Sequence, residues 1–162
     1  MITGLRIGHG YDAHRLVAGC DMILCGVKIP CEYGPDGHSD ADAPLHALTD
    51  AILGAAVLGD IGAHFPDTDP ALRGASSARL LTQAYGKVKS AGYELVNADI
   101  TIILQAPRIA QHINQMREAV AAALGCDAER INVKATTEEK MGFTGSGEGI
   151  AAHAVVLLAA AS

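Results

Sequence analysis

The sequence predicts an α+β fold, with helices packed on one face of a four-stranded mixed sheet. Three observations predict it. β-rich runs and helical segments alternate imperfectly, in the order β(ββ)αα-β-α-β-β. At 162 residues the chain is large enough for a proper core and too small for two, so a single domain over residues 1–162 is expected. Apolar residues make up 49% of it, with no low-complexity tract and no internal repeat, as in an ordinary globular chain.

Each element has its own signal. Residues 2–11 begin as an alternating segment and predict a first strand, followed by a polar loop. Residues 22–30 (MILCGVKIP) hold two short apolar runs about Gly26, a strand or hairpin arm, and residues 32–37 are turn-rich. A first helix runs from Asp40 or Asp42 to Leu58; Pro44 fits best in a first turn and favours the later start. Its body, LHALTDAILGAAVLG, is apolar nearly all round, which predicts a core helix with His46 and Asp50 as polar exceptions. Residues 59–74 read as a loop, and Ser76 or Ser77 caps a second helix to Ala91, stopped by Gly92. Residues 94–105 (ELVNADITIILQ) end in a run suited to a central strand. Pro107 opens a third helix to Leu124, closed by Gly125. Residues 131–136 form a strand, 137–149 a glycine-rich loop with room for one helical turn, and 150–160 the last strand.

Composition excludes several functions. A formal charge of -6 and the absence of Trp argue against a nucleic-acid reader, which needs a basic face and stacking aromatics. Cys20, Cys25, Cys31 and Cys126 show no C-x-x-C pairing and no disulfide framework, and are expected as reduced thiols of a cytoplasmic protein. MITGLRIGHG lacks the apolar core of a signal peptide, and IAAHAVVLLAAA is too short to span a bilayer, so no membrane partner is expected.

The chemistry concentrates in GHSDADAPLHALTD, residues 37–50, which holds two histidines and three aspartates. His46 and Asp50 are four apart and project from one helix face, so the carboxylate is expected to orient the imidazole as a ligand. In GHGYDAH, Asp12 and His14 lie two apart and share one side of an extended strand. Asp12, His14 and His46 together supply one oxygen and two nitrogens to one cation and leave a fourth position open. That set suits catalytic zinc.

Other segments carry weaker signals. GHGYDA nearly matches the dinucleotide fingerprint, but no amphipathic helix follows it, and no Walker motif exists. His9, His64, His112 and His153 read as ordinary core or surface residues, whereas His38, beside Ser39, is either a phosphate donor or a loop residue. The carboxylates of residues 60–69 are either a solvated acidic loop or acceptors for a polyol. Thr136 and Thr137 precede Glu139, a candidate hard-cation ligand, and amides freed by Gly142, Gly145 and Gly147 suit phosphate oxygens. Lys134 and Lys140 read equally as surface charges.

Taken together, IGHGYDAH, GHSDADAPLHALTDAILGAA, LGDIGAHFPDTDP, ITIILQAPRI and NVKATTEEKMGFTGSGEGIA resemble the 2-C-methyl-D-erythritol 2,4-cyclodiphosphate synthase family, in order and spacing over almost the whole chain. The resemblance implies a homotrimer with active sites at subunit interfaces. It also implies a phosphorus-oxygen lyase of the non-mevalonate isoprenoid pathway, acting on a CDP-linked methylerythritol 2-phosphate. The 2-phosphate attacks the β-phosphorus and expels CMP, leaving a cyclic diphosphate. Zinc is implied at Asp12, His14 and His46, and magnesium or manganese at Glu139 with the substrate phosphates.

His38 and Thr137 match transition-state-stabilising positions, and Ser39 joins His38 at the erythritol phosphate. Asp12, Ala13 and His14 fall in the ligand site, as do Asp60, Ile61 and Gly62. Phe65, Pro66, Asp67, Thr68 and Asp69 match the erythritol-facing loop. Leu104, Gln105, Ala106, Pro107, Arg108, Ile109 and Ala110 match the cytosine pocket, and Thr136, Thr137, Glu138, Glu139 and Phe143 its phosphate end. Ser146 occupies a phosphate-contact position where the family commonly has arginine. Two other classes compete with this reading: a metal-dependent phosphohydrolase that activates water with the same ligands, and a non-catalytic nucleotide-binding trimer.

Overall fold

The computed structural model describes residues 4–162, so the predicted start of the first strand at residues 2 and 3 lies outside the described residues. The fold is α+β, but its main sheet has five strands, not four. β1 (Leu5–Ala18), β4 (Tyr33–Pro35), β5 (Tyr93–Ile103), β6 (Ile131–Thr136) and β7 (Gly149–Ala160) lie in the order β4-β1-β7-β5-β6. The extra strand is the segment that glycine and proline mark as turn-rich; it pairs with the end of β1, Leu16 opposite Pro35. β5 and β6 run parallel and the other neighbours antiparallel, so the sheet is mixed as expected.

β1 also runs seven residues past its predicted end at Tyr11. Asp12, His14 and Arg15 give this stretch the polarity of a loop, yet its backbone stays paired, Arg15 with Gly149 of β7. Residues 22–30 form a complete hairpin of β2 (Met22–Leu24) and β3 (Val27–Ile29). The two turn residues, Cys25 (φ 51°) and Gly26 (φ 76°), both have positive φ, which matches the twist of the flanking strands.

The helices are α1 (Ala43–Ala55), α2 (Ile61–His64), α3 (Ser77–Ser90), α4 (Ile113–Leu124) and α5 (Gly142–Gly145). α1 takes the later predicted start, with Pro44 in its first turn. Its N-cap Asp42 is fully buried and accepts from Leu45 N (3.2 Å), Cys25 N (2.9 Å) and Gly26 N (2.7 Å). Burial pushes the Asp42 carboxyl up to about 7, while these three donors pull the other way. α4 begins at Ile113 rather than Pro107, because the loop before it folds back on the strand ends. There Leu104 N donates to Thr136 O (3.0 Å), and the Tyr33 hydroxyl donates to Ala106 O (2.8 Å). Gly125 closes α4 in the left-handed conformation, as predicted.

α1, α3 and α4 cover one face of the sheet, whereas Phe143 of α5 lies against Gly149, whose row of β7 faces the other way. Leu45, Leu48 and Ile52 of α1, Leu81 of α3 and Met116 of α4 bury themselves on Ile100, Ile102 and Leu158. α1 lies directly on β1 at Gly8 and Gly10, where a Cβ would run into the carbonyls of Ala51 and Ala47. The opposite face carries Ile7 (75% exposed), Tyr11 (46%) and Val155 (42%). His9 and His153 lie among them, His9 Nε2 2.9 Å from His153 Nδ1. All four cysteines are free, Cys25 buried and the others half-buried. Among the described residues no helix is long and apolar enough to cross a membrane.

Candidate metal centre and its pocket

Asp12 and His14 continue the even-numbered row of β1 that begins with Gly8 and Gly10, so both point to the helix side. His46 precedes Ala47, the residue seated on Gly10, and so the first turn of α1 meets the end of that row. His14 Nε2 lies 2.7 Å and His46 Nδ1 3.1 Å from Asp12 Oδ2, and the two nitrogens are 3.4 Å apart. This Asp-His-His group is the one cluster among the described residues able to hold a metal ion.

The donor set fits a cation. A tetrahedral ion with bonds of about 2.0–2.1 Å needs ligand atoms about 3.3 Å apart, and the His–His spacing matches this. His14 Nδ1 lies 3.1 Å from the Asp36 carbonyl, which only accepts, so Nδ1 carries the proton and Nε2 turns its other face to the cluster. Burial raises the Asp12 carboxyl, but the two imidazoles outweigh it and hold the group below its ordinary value. Burial likewise disfavours charge on His14, and Asp12 outweighs it, holding the imidazole above its ordinary value.

Asp50 does not support His46. It sits one turn further along α1, where Oδ1 accepts from Ile61 N (3.1 Å) and ties down α2. His46 Nε2 instead lies 2.8 Å from the hydroxyl of Ser77 and 3.2 Å from that of Ser39. In the sequence Ser77 carries only the signal of a helix cap, and the carbonyl of Asp36 carries no side-chain signal at all.

A cavity of about 540 Å³ opens over the triad. Of the residues expected in the ligand site, His38, Ser39, Ile61, Gly62, Phe65, Pro66, Asp67 and Thr68 line it, joined by Tyr11, Leu72 and Leu80, which had no signal. Two expected ligand-site carboxylates serve as caps: Asp60 Oδ1 accepts from Ala63 N (2.9 Å), and Asp69 Oδ1 from Ala71 N (3.0 Å). Asp69 O lies 3.2 Å from His38 Nε2. His64 stays an ordinary residue, bonded to Leu58 O at 2.7 Å.

A second cavity, about 470 Å³, is lined by Leu104, Gln105, Pro107, Arg108, Ile109, Ala110, Thr136 and Thr137. The Thr137 hydroxyl accepts from Glu139 N (3.2 Å), and Glu138 and Glu139 stand on an exposed loop. Phe143 borders a smaller cleft with Ala13 and His14, and the Ser146 hydroxyl donates to Phe143 O (3.2 Å). The two larger cavities are at one height on the sheet, since Ala13 pairs with Ala151, Ala151 with Ile103 and Ile103 with Thr136. They are nevertheless three strand spacings apart, roughly 14 Å. The residues expected in one active site therefore line two separate cavities on one chain.

An α+β chain with three side chains able to hold a cation at the floor of a small-molecule cavity defines a class, the metal-dependent enzymes of small-molecule chemistry. The chain belongs to the YgbB family, whose model matches residues 5–159. It is 61% identical over 154 residues to a 2-C-methyl-D-erythritol 2,4-cyclodiphosphate synthase from Trichlorobacter lovleyi, covering 95% of this chain and 98% of the relative. A protein of the same name from Cronobacter sakazakii is 58% identical over 154 residues, with 95% and 97% covered. Among solved structures, the IspF–CDP complex from Plasmodium falciparum matches with a TM-score of 0.87 at 33% identity, covering 100% of both chains.

Proposed function

We propose that the chain cyclises 4-diphosphocytidyl-2-C-methyl-D-erythritol 2-phosphate to 2-C-methyl-D-erythritol 2,4-cyclodiphosphate with release of CMP, as a cytoplasmic phosphorus-oxygen lyase of the non-mevalonate isoprenoid pathway. The names of its relatives support the reaction. The observation that carries it is the convergence of Asp12, His14 and His46 within 2.7–3.4 Å beneath a cavity of small-molecule size. Asp12, His14 and His46 would hold zinc, and Glu139 with the substrate phosphates would hold magnesium or manganese; such ions would supply charge neutralisation and Lewis acidity.

The chain's own residues supply position. Both reacting phosphates belong to one molecule, so folding it back provides proximity without a protein nucleophile. His38 and Ser39, beside the triad, hold the erythritol phosphate, and residues 65–69 close over the erythritol. Leu104–Ala110 hold the cytosine largely through backbone groups, and Thr136 and Thr137 face the diphosphate.

The two cavities, roughly 14 Å apart on one chain, are in this reading half-sites completed by a neighbouring copy in a homotrimer. The exposed apolar sheet face around Ile7 and Val155 supports association. A metal-dependent CMP-release assay with phosphorus NMR of the product tests the reaction. His46→Ala is expected to abolish cyclisation while the assembly stays folded. A linear product carrying solvent oxygen would make the enzyme a hydrolase, and CDP binding without turnover would make it a non-catalytic binder.

A further inference from the structure

Ser77 and Asp40 lie outside the residues assigned above to metal and substrate, yet their bonds converge on a ligand. The Ser77 backbone N donates to Asp40 Oδ2 (3.1 Å), and its hydroxyl donates to Asp40 Oδ1 in a short bond. Asp40 N in turn donates to Ala75 O (3.2 Å), so the carboxylate is fixed against the start of α3. Ser77 is fully buried and has one hydroxyl proton. That proton lies on Asp40, which as a carboxylate has none to offer.

Towards His46 the Ser77 oxygen therefore presents a lone pair, 2.8 Å from Nε2. A bare Nε2 would set two lone pairs against each other, so Nε2 carries the hydrogen and donates it. The imidazole then has its lone pair on Nδ1, the atom 3.1 Å from Asp12 Oδ2. Ser39 does not alter this ledger. Its oxygen is the more distant partner, at 3.2 Å, so the closer Ser77 oxygen decides the direction and Ser39 is a second, longer acceptor for the same hydrogen.

We infer that Asp40 and Ser77 are positioning residues for the metal centre. Asp40 orients the Ser77 hydroxyl, and Ser77 fixes the tautomer and ring orientation of His46. His14 has a single carbonyl for this purpose, whereas His46 has a two-residue relay that reaches across from α1 to α3. Supports of this kind are worth about 10- to 100-fold in metal affinity. The inference rests on the metal reading of Asp12, His14 and His46.

The test titrates the full assembled chain with cobalt(II), following its visible absorption, and with zinc against a chromophoric chelator. Ser77→Ala and Asp40→Asn are expected to weaken binding about 10- to 100-fold and to alter the cobalt spectrum. Asp50→Asn, which alters the tie between α1 and α2 but not the relay, is expected to bind as wild type does. Unchanged affinity in Ser77→Ala and Asp40→Asn, or an equal loss in Asp50→Asn, overturns the relay and leaves the metal reading standing. Wild-type protein that binds neither ion overturns both. Nitrogen NMR of the metal-free wild type needs no variant: neutral His46 with its hydrogen on Nε2 supports the relay, and the opposite tautomer, with Nε2 bare, refutes it.

Discussion

Gly10→Ala provides a test of how the fold positions the chemistry. A Cβ at this position runs into the Ala47 carbonyl oxygen and stands 2.8 Å from its carbon and 3.0 Å from Ala51 N, where ordinary contacts begin near 3.4 Å. All three atoms are helix backbone and cannot rotate away, so α1 has to lift from β1 by more than roughly 1 Å, at a cost of about 3 kcal/mol or more. His46 precedes Ala47 and moves with it, whereas Asp12 and His14 stay on the strand. Metal sites tolerate displacements of only about 0.2 Å, and a misplacement of about 1 Å costs on the order of 100-fold in rate.

The expected result is therefore coupled. Urea unfolding at fixed protein concentration should show a loss of about 3 kcal/mol or more, zinc affinity should fall, and CMP release should drop by at least about 100-fold. A stable Gly10→Ala protein with wild-type zinc affinity and turnover would refute the idea that direct helix-on-strand contact sets the ligand spacing.

Two further outcomes follow from the half-sites. Thr137→Val, which removes a hydroxyl at the diphosphate end, should reduce turnover by about 100-fold while cytidine nucleotide binding, read by calorimetry, is largely kept; equal losses in both would reassign Thr137 to binding. Acidification should weaken metal binding. Asp12 holds the metal-free His14 above its ordinary pKa, so below that value the ion must displace a proton, and affinity should fall about tenfold per pH unit. Chelator competition between pH 8 and pH 6 measures it, and a flat profile would exclude His14 as a ligand.

Much of the site was legible because its signals are local. The two-residue spacing of Asp12 and His14 reports a shared strand face, and Pro44 placed the start of α1, hence His46 in its first turn. What failed depended on tertiary partners. Four-residue spacing puts His46 and Asp50 on one helix face, but it does not say that the start of α2, at Ile61, would take the carboxylate. Pro107 suits a helix start, yet the loop it belongs to is held by Thr136 and Tyr33, both distant in sequence. β4 escaped because three residues paired to an edge leave no periodicity to detect. Ser77 looked like a cap because serine commonly is one; only the approach of Asp40 gives its hydroxyl another task.

The separation of the half-sites across the sheet bears on genetics as well as catalysis. If neighbouring subunits complete each other's sites, two lesions that each disable the enzyme can lie in different halves. One chain disabled at His46 still offers a sound nucleotide half, and one disabled at Thr137 still offers a sound metal half. Co-expressed, the two defective alleles would meet in mixed assemblies where some junctions inherit both intact halves, and a cell carrying neither working copy would regain part of its activity.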